Sequence, residues 1–429
     1  MHKYLRDYCI LKGGSGFPEK YQGSPEGDVP FIKVSDMNLP GNERFISTAN
    51  HYISFSDAKR LNATIFNKDS IVFAKVGAAL LLNRRRILLK PTIIDNNMMA
   101  ATPLDVDSNF LYHFLCSFDF EDLVQTGALP SINQNQVGGI KVPVFSKHAQ
   151  KKIATILTSI DTAIEKTEAL IEKYQQIKSG LMHDLFTRGV LPNGQLRPTR
   201  EQAPELYQET KIGWIPKEWD CDYLKRYLIS PPKNGYSPNE IDYWDGIYVL
   251  GLGCLTKNGF NPKQLKKVNY KAAISSGAIL NDGDILISRA NTPELVGLCG
   301  IYKDIGEKVI YPDLMMRISL CSTLDKFYFE QLMLHSSTRN QIKALAVGTS
   351  SSMVKLNSTS LKKLIIKVPS PKEQMRIVET IRPFENQLVA LTLQLKKLQS
   401  QKLGLMQDLL TGKVPVTVSE NADQEEVHA

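Results

Sequence analysis

A stretch of 41 residues occurs twice in this chain, and few architectures can accommodate that. Residues 150–190 (QKKIATILTSIDTAIEKTEALIEKYQQIKSGLMHDLFTRGV) return at 374–414 as QMRIVETIRPFENQLVALTLQLKKLQSQKLGLMQDLLTGKV, at a constant offset of 224 and without a gap. Twelve positions are identical, among them Gly180/Gly404, Leu181/Leu405, Met182/Met406, Asp184/Asp408, Leu185/Leu409 and Thr187/Thr411. In both copies apolar residues recur at alternating steps of four and three. The first copy places Ile153, Leu157, Ile160, Ile164, Ile171, Tyr174, Leu181 and Leu185 on this repeat, with Thr167 among them. The second places Ile377, Ile381, Phe384, Leu388, Leu391, Leu395, Leu398, Leu405 and Leu409 there. A period of 3.5 held over roughly four to five heptads predicts a coiled-coil seam. The position that breaks it is lysine in both copies, Lys178 and Lys402; a seam lysine lowers stability but fixes register. A seam from Ile153 to Leu185 spans roughly 50 Å at about 1.5 Å per residue.

The blocks before each helix repeat more loosely. IFNKDSIVFAKVG (65–77) matches ILNDGDILISRAN (279–291) at an offset of 214, Tyr4-Leu5 is echoed by Tyr223-Leu224, and each block closes on IKVP, at 140–143 and 366–369. An asparagine precedes each closing strand, in SINQNQVGGIKVP and VKLNSTSLKKLIIKVP. Candidate strands of the first block are Val29–Val34, Ser70–Lys75 and Ile140–Val144, with dense turn chemistry around Gly13–Gly16 and Leu39–Asn42. Pro192, Pro198, Pro204 and Pro216 predict an extended linker between the halves, whose aromatic end, Gly213-Trp214-Ile215-Pro216 and Trp219, is expected to dock on a neighbouring surface. The expected plan is a first module at 1–146, a long helix at 147–188, a Pro-rich linker at 189–219, a second module at 220–370, a second helix at 371–412 and a disordered acidic tail at 413–429. In fold class this is α+β: two similar α/β modules separated by two long antiparallel coiled-coil helices, in a pseudo-two-fold repeat.

Hydrophobic content of 42% over 429 residues is ordinary for a globular chain of two or three domains. No apolar run approaches about 18 residues and no signal-peptide pattern opens the chain, so neither a membrane span nor export is expected. Cys9, Cys116, Cys221, Cys254, Cys299 and Cys321 lie far apart, which excludes a CxxC site and suits a reducing cytoplasm. Net charge is +8, and with the tail at −3 residues 1–412 carry +11, compatible with a polyanionic partner.

Catalytic signatures are missing. Ser230-Pro231-Pro232-Lys233 resembles an amino-methyltransferase motif, but Lys233 stands where an aromatic would stack on a flipped base, so a turn is expected there. Gly251-Leu252-Gly253 is not followed by the glycines and helix of a dinucleotide fingerprint, and the seven histidines form no ligand cluster. No metal, cofactor or covalent chemistry is expected of this chain.

Taken in order, these elements resemble the specificity subunit of a Type I restriction-modification enzyme. The likeness spans essentially the whole chain. It is most specific in the GLM-x-DLxT helix endings (Gly180–Thr187, Gly404–Thr411), the IGWIPKEW segment (Ile212–Trp219) and the strand Asp282–Arg289. An IGxIPxxW-like segment often precedes the first module of such proteins. Here Tyr4-Leu5 stands almost at the start, so either that anchor is missing or Met1 is not the natural start. The resemblance implies two target recognition domains, each reading one half of a bipartite asymmetric site in double-stranded DNA, and helices that set the spacing. It also implies two methyltransferase subunits using S-adenosylmethionine, and restriction subunits that use ATP and magnesium. Candidate DNA contacts, chosen by charge and position, are Lys75, Arg84, Arg85, Arg86, Asn96 and Asn97 in the first module and Lys233, Arg289, Asn291 and Lys355 in the second. The competing expectation is a two-module coiled-coil scaffold that binds no DNA.

Overall fold

The computed structural model describes residues 2–124, 129–350 and 353–416, so most of the acidic tail (417–429) lies outside the described residues. Two helices dominate it, Lys147–Thr187 and Pro371–Leu410. By compactness the chain forms two units: Met1–Leu170 with Leu391–Ala429, and Ile171–Ala390. Each unit therefore holds one module, the half of one helix that leaves it, and a half of the other helix.

Burial along both helices follows the predicted seam. Ile153, Leu157, Leu185, Ile377, Ile381 and Leu409 are buried, and Ile160, Ile164, Ile171, Leu181, Phe384, Leu388, Leu395 and Leu405 are half-buried. In the first unit Ile153, Ala154 and Leu157 share a core with Met406, Leu409 and Leu410, as antiparallel helices require. In the second, Leu185 shares a core with Ile377 and Ile381, and the Tyr174 ring lies 6.3 Å from that of Phe384. The seam lysines have the same role in each unit. Lys402 Nζ meets Asp161 at 2.6 Å in the first, and Lys178 Nζ meets Glu385 at 2.7 Å in the second. Such a pair adds little net stability but penalises every register in which one charge is left alone.

The identical Gln150 and Gln374 explain how each module is fixed to the helix that follows it. Gln150 Oε1 accepts from Asp107 N (3.2 Å) and Gln374 Oε1 from Asp325 N (2.8 Å), while their amides donate to Phe145 O and Pro369 O. Asp107 and Asp325 in turn cap the helices Ser108–Cys116 and Lys326–Leu334 through Phe110 N and Tyr328 N.

Both modules are built on a central antiparallel sheet. In the first the antiparallel order is Cys9–Gly13, Met98–Pro103, Ile71–Ala74, Arg85–Leu88, and Phe45–Ile46 joins Arg85–Leu88 in parallel at the far edge. In the second it is Leu228–Asn234, Met315–Leu320, Ile285–Ser288, Cys299–Ile301. The central strands read IVFA and ILIS and are buried at every position, as strands covered on both faces must be. Each module adds a smaller sheet with one parallel pair, Val29–Ile32 with Thr92–Ile94 and Tyr248–Leu250 with Val309–Ile310.

Three details differ from the sequence reading. The two IKVP strings are not equivalent: Tyr4 pairs with Lys141 and Tyr223 with Ile365, two residues before Lys367. A shift of two preserves which face each side chain takes, so the mismatch leaves the pattern intact. The proline-rich segment 189–219 is folded rather than extended. Tyr207–Thr210 and Gly213–Pro216 form a hairpin, Ile215 and Trp219 are buried, and Trp214 lies under the Arg200 guanidinium at 4.8 Å. Finally, Ser230–Lys233 is no turn. It belongs to the strand Leu228–Asn234, whose register breaks between Ser230 and Lys233 because Pro231 and Pro232 have no N–H to pair.

Candidate nucleic-acid interface

The two modules have the same construction where the central strand ends. In the first, Ile71–Ala74 runs out at Lys75, whose N donates to Asn97 O (2.8 Å) and whose O accepts from Ile132 N (3.0 Å). In the second, Ile285–Ser288 runs out at Arg289, whose N donates to Leu314 O (2.8 Å) and whose O accepts from Leu356 N (2.8 Å). Each cation thus leaves a backbone held on one side by the turn before the next strand and on the other by the closing segment.

A glycine closes each turn. Gly14 N donates to Met98 O (3.0 Å) and Gly235 N to Met315 O (3.2 Å). A Cβ on Gly14 would lie 2.0 Å from Asp95 O, and one on Gly235 would lie 2.0 Å from Tyr311 O. Only glycine permits that approach. Asp95 also fastens its turn through Oδ1 to Asn97 N (2.9 Å), and burial pushes its carboxyl pKa up.

Among the residues singled out by charge, the structure brings Lys75, Asn96 and Asn97 together in the first module, with both asparagines exposed in the turn. In the second, Arg289, Asn291 and Lys355 meet where Ala290–Asn291 pairs with Met353–Lys355, and Lys233 lies on the strand that leads into Gly235. Arg289 Nη1 donates to Asp313 O (3.2 Å), and Asn291 Oδ1 accepts from Thr292 N (2.9 Å). Lys233 and Lys355 are exposed.

The arginine cluster does not join this site as a unit. Arg85 is 1% exposed, with its guanidinium 3.9 Å above the Phe120 ring and hydrogen-bonded to Asn83 Oδ1 (2.9 Å) and Phe118 O (2.8 Å). Burial pushes its pKa down to about 10. Arg85 is a core residue and no DNA contact. Arg86 donates to Arg85 O (2.8 Å) and Met37 O (3.0 Å), so its guanidinium is occupied by the protein's own carbonyls. Arg84 stays partly exposed, hydrogen-bonded to Asn38. Replacing Arg85 with alanine is expected to cost about 2–3 kcal/mol by leaving buried partners unsatisfied. Denaturant titration measures that loss. DNA affinity of the folded variant should stay as it was, and a selective loss of binding at unchanged stability would return Arg85 to the interface.

The charge-based search missed the closing segment, where polarity without charge gave little signal. Asn133 and Asn357 are helix caps, accepting from Gln136 N (3.0 Å) and Ser360 N (2.7 Å), which accounts for the asparagine before each closing strand. Beside the first lies an open cavity of about 320 Å³ lined by Lys75, Met99, Ile132, Asn133, Gln134 and Asn135.

Among the described residues no group of three or more His, Cys, Asp or Glu is placed to hold a metal ion, and no helix is long and apolar enough to cross a membrane. All six cysteines are free.

Comparison with known proteins gives a consistent result. A family model described as Type I restriction modification DNA specificity domain matches residues 2–175 and 233–399. The chain is 26% identical over 423 residues to the Type I restriction enzyme MjaVIII specificity subunit of Methanocaldococcus jannaschii, covering 91% of this chain and 90% of that protein. In fold it is similar to the crystal structure of a Type I restriction-modification S subunit from M. genitalium, with a TM-score of 0.57 at 14% identity over 97% of this chain and 96% of that one. A second structure, from work on complex assembly and conformational transition of the type I R-M system, gives a TM-score of 0.50 at 13% identity over 96% and 97% of the two chains.

Proposed function

This chain belongs to the Type I restriction modification DNA specificity domain family, and on that premise we propose that each module reads one half of a bipartite, asymmetric DNA target. The long helices set the spacing between the halves and dock methyltransferase subunits. The observation that carries the reading is the duplicated sheet end. One backbone frame displays Lys75, Asn96 and Asn97 in the first module and Arg289, Asn291 and Lys355 in the second. A shared frame with different side chains is what two different half-targets demand, since phosphate contacts position a protein and base contacts specify sequence. Membership of this family also disfavours a scaffold that binds only protein.

Docking is supported by a feature that no contact among the described residues requires. Lys173/Lys397 and Gly180/Gly404 are identical in the two helices and exposed, and among the described residues a Cβ on either glycine would meet no atom within 4 Å beyond its own helix backbone and chain neighbours. Glycine in a helix interior costs roughly 1 kcal/mol relative to alanine, so its presence in both copies fits a partner approaching the backbone at two equivalent points. That repetition supports a reading of two methyltransferase subunits per chain. Methyl transfer from S-adenosylmethionine to adenine, and ATP- and magnesium-dependent translocation and cleavage, then fall to the methyltransferase and restriction subunits. The chain itself is non-catalytic and needs no cofactor, and its place is the cytoplasm.

Affinity of the chain assembled with methyltransferase subunits should fall steeply with salt, at a slope of about −0.9 in log–log form for each phosphate neutralised. Fluorescence anisotropy on duplex DNA between low and physiological salt measures it. A slope near zero would argue against the proposed interface.

A further inference from the structure

We propose that the cavity at the first module's sheet end is a site for the major-groove edges of purines, with Lys75, Gln134 and Asn135 as its specificity-determining residues. The proposal rests on the DNA-reading role set out above. Its lining residues are one cation, three carboxamides and two apolar side chains, with no carboxylate. Among the described residues the side chains of Lys75, Gln134 and Asn135 have no hydrogen-bond or ion-pair partner, although Gln134 and Asn135 follow directly on a residue fixed at both ends. Asn133 N donates to Gln136 Oε1 (2.8 Å) while Asn133 Oδ1 accepts from Gln136 N (3.0 Å), and Ile132 N is held by Lys75 O (3.0 Å). Met99 and Ile132 are buried and give the cavity a firm floor. Free polar groups on a braced backbone beside a firm apolar floor are what precise recognition needs.

The chemistry of these groups selects the ligand. A lysine ammonium donates to guanine O6 and N7, and an asparagine or glutamine amide donates to adenine N7 while accepting from its N6. Both are purine edges in the major groove, and a site without a carboxylate offers no special partner for the cytosine amino group. The second module replaces this set with other chemistry. Arg289 stands for Lys75, Ser358 and Thr359 for Gln134 and Asn135, and Lys355 for Ser131. It has two cations and no carboxamide at those positions, which favours guanine. A carboxamide contact to adenine from the closing segment therefore belongs to the first module's half-target alone.

The test uses the whole chain reconstituted with its methyltransferase subunits and a duplex library randomised across both half-targets. Bound duplexes from the unaltered complex define the reference motif. The double variant Gln134→Ala, Asn135→Ala should lose about 10- to 100-fold discrimination at one or two adjacent purine positions of one half-target, with the other half unchanged. Arg289→Ala should relax the other half alone. Gln134→Glu, which keeps the side chain's length, should move the preference at one position towards cytosine, whose amino group a carboxylate accepts. Equal weakening for all sequences would assign these residues to the phosphate backbone and overturn the proposal. So would an unchanged motif in the double variant. An unaltered complex that selects no motif would instead overturn the DNA-reading role, and the proposal with it.

Discussion

Replacing Glu373 with alanine is expected to destabilise the unit Ile171–Ala390 by about 3–5 kcal/mol, the cost of leaving a buried charge without its partner. Glu373 and Arg197 are each 3% exposed at the side chain. Besides its contact to Arg197 Nη1, Glu373 accepts from Arg197 Nη2 (2.9 Å) and from Val190 N (2.9 Å), while Arg197 also reaches Glu218 (2.5 Å) and Arg188 O (3.0 Å). Burial works against the arginine's charge, but its hydrogen bonds to Glu373 and Glu218 prevail and raise its pKa. This network ties the folded segment 189–219 to the start of the second long helix. Thermal unfolding should show a fall of roughly 10 °C. Arg197→Ala should cost a similar amount, and the double variant much less than the sum, since the two side chains act on each other. A loss under about 1 kcal/mol for Glu373→Ala would mean that water reaches the pair.

Lengthening both long helices by four residues is expected to widen the gap between the half-targets while leaving each half-target as it was. An insertion in the first helix alone, after Lys166, does not suffice. Asp161 and Lys178 are 17 residues apart on one helix, and their partners Lys402 and Glu385 are 17 apart on the other. A one-sided insertion breaks that equality and forces one ion pair apart. Matching insertions after Lys166 and Ala390 add about 6 Å and roughly one turn to each helix, which nearly restores the facing seam. At about 3.4 Å per base pair, the spacer should grow by one or two pairs. Sequencing of methylated sites in cells that supply the partner subunits reads the spacer directly. An active variant with its spacer unchanged would reduce the helices to docking platforms.

The seam was legible because a period sustained across two copies has one reading, and burial of Ile153, Leu157, Ile377 and Leu409 follows it residue by residue. Equivalence of Lys75 and Arg289 was legible for the same reason, since the matching strings 65–77 and 279–291 place them together. Arg84, Arg85 and Arg86 were indistinguishable as a string. Their fates diverge because Arg85 lies on a strand opposite Phe73, which turns it towards Phe120, while Arg86, opposite Val72, takes the other face and Arg84 precedes the strand. Prolines misled at 189–219, where Tyr207, Ile215 and Trp219 offered enough apolar surface to fold the segment. Gly14 and Gly235 gave no more signal than other glycines. Their role comes from carbonyl groups contributed by turns near residues 95 and 311, and a local sequence reading cannot bring those together.

The most direct measurement is a genome-wide map of methylated adenines in cells with and without this chain, the partner subunits being present in both. Sites that depend on the chain should form one asymmetric motif of two short defined segments around a spacer of fixed length. Exchanging the second module, 220–370, for that of a relative should then replace one segment and leave the other intact. Methylation that is unaffected by removing the chain, or a module exchange that alters both segments together, would contradict the account.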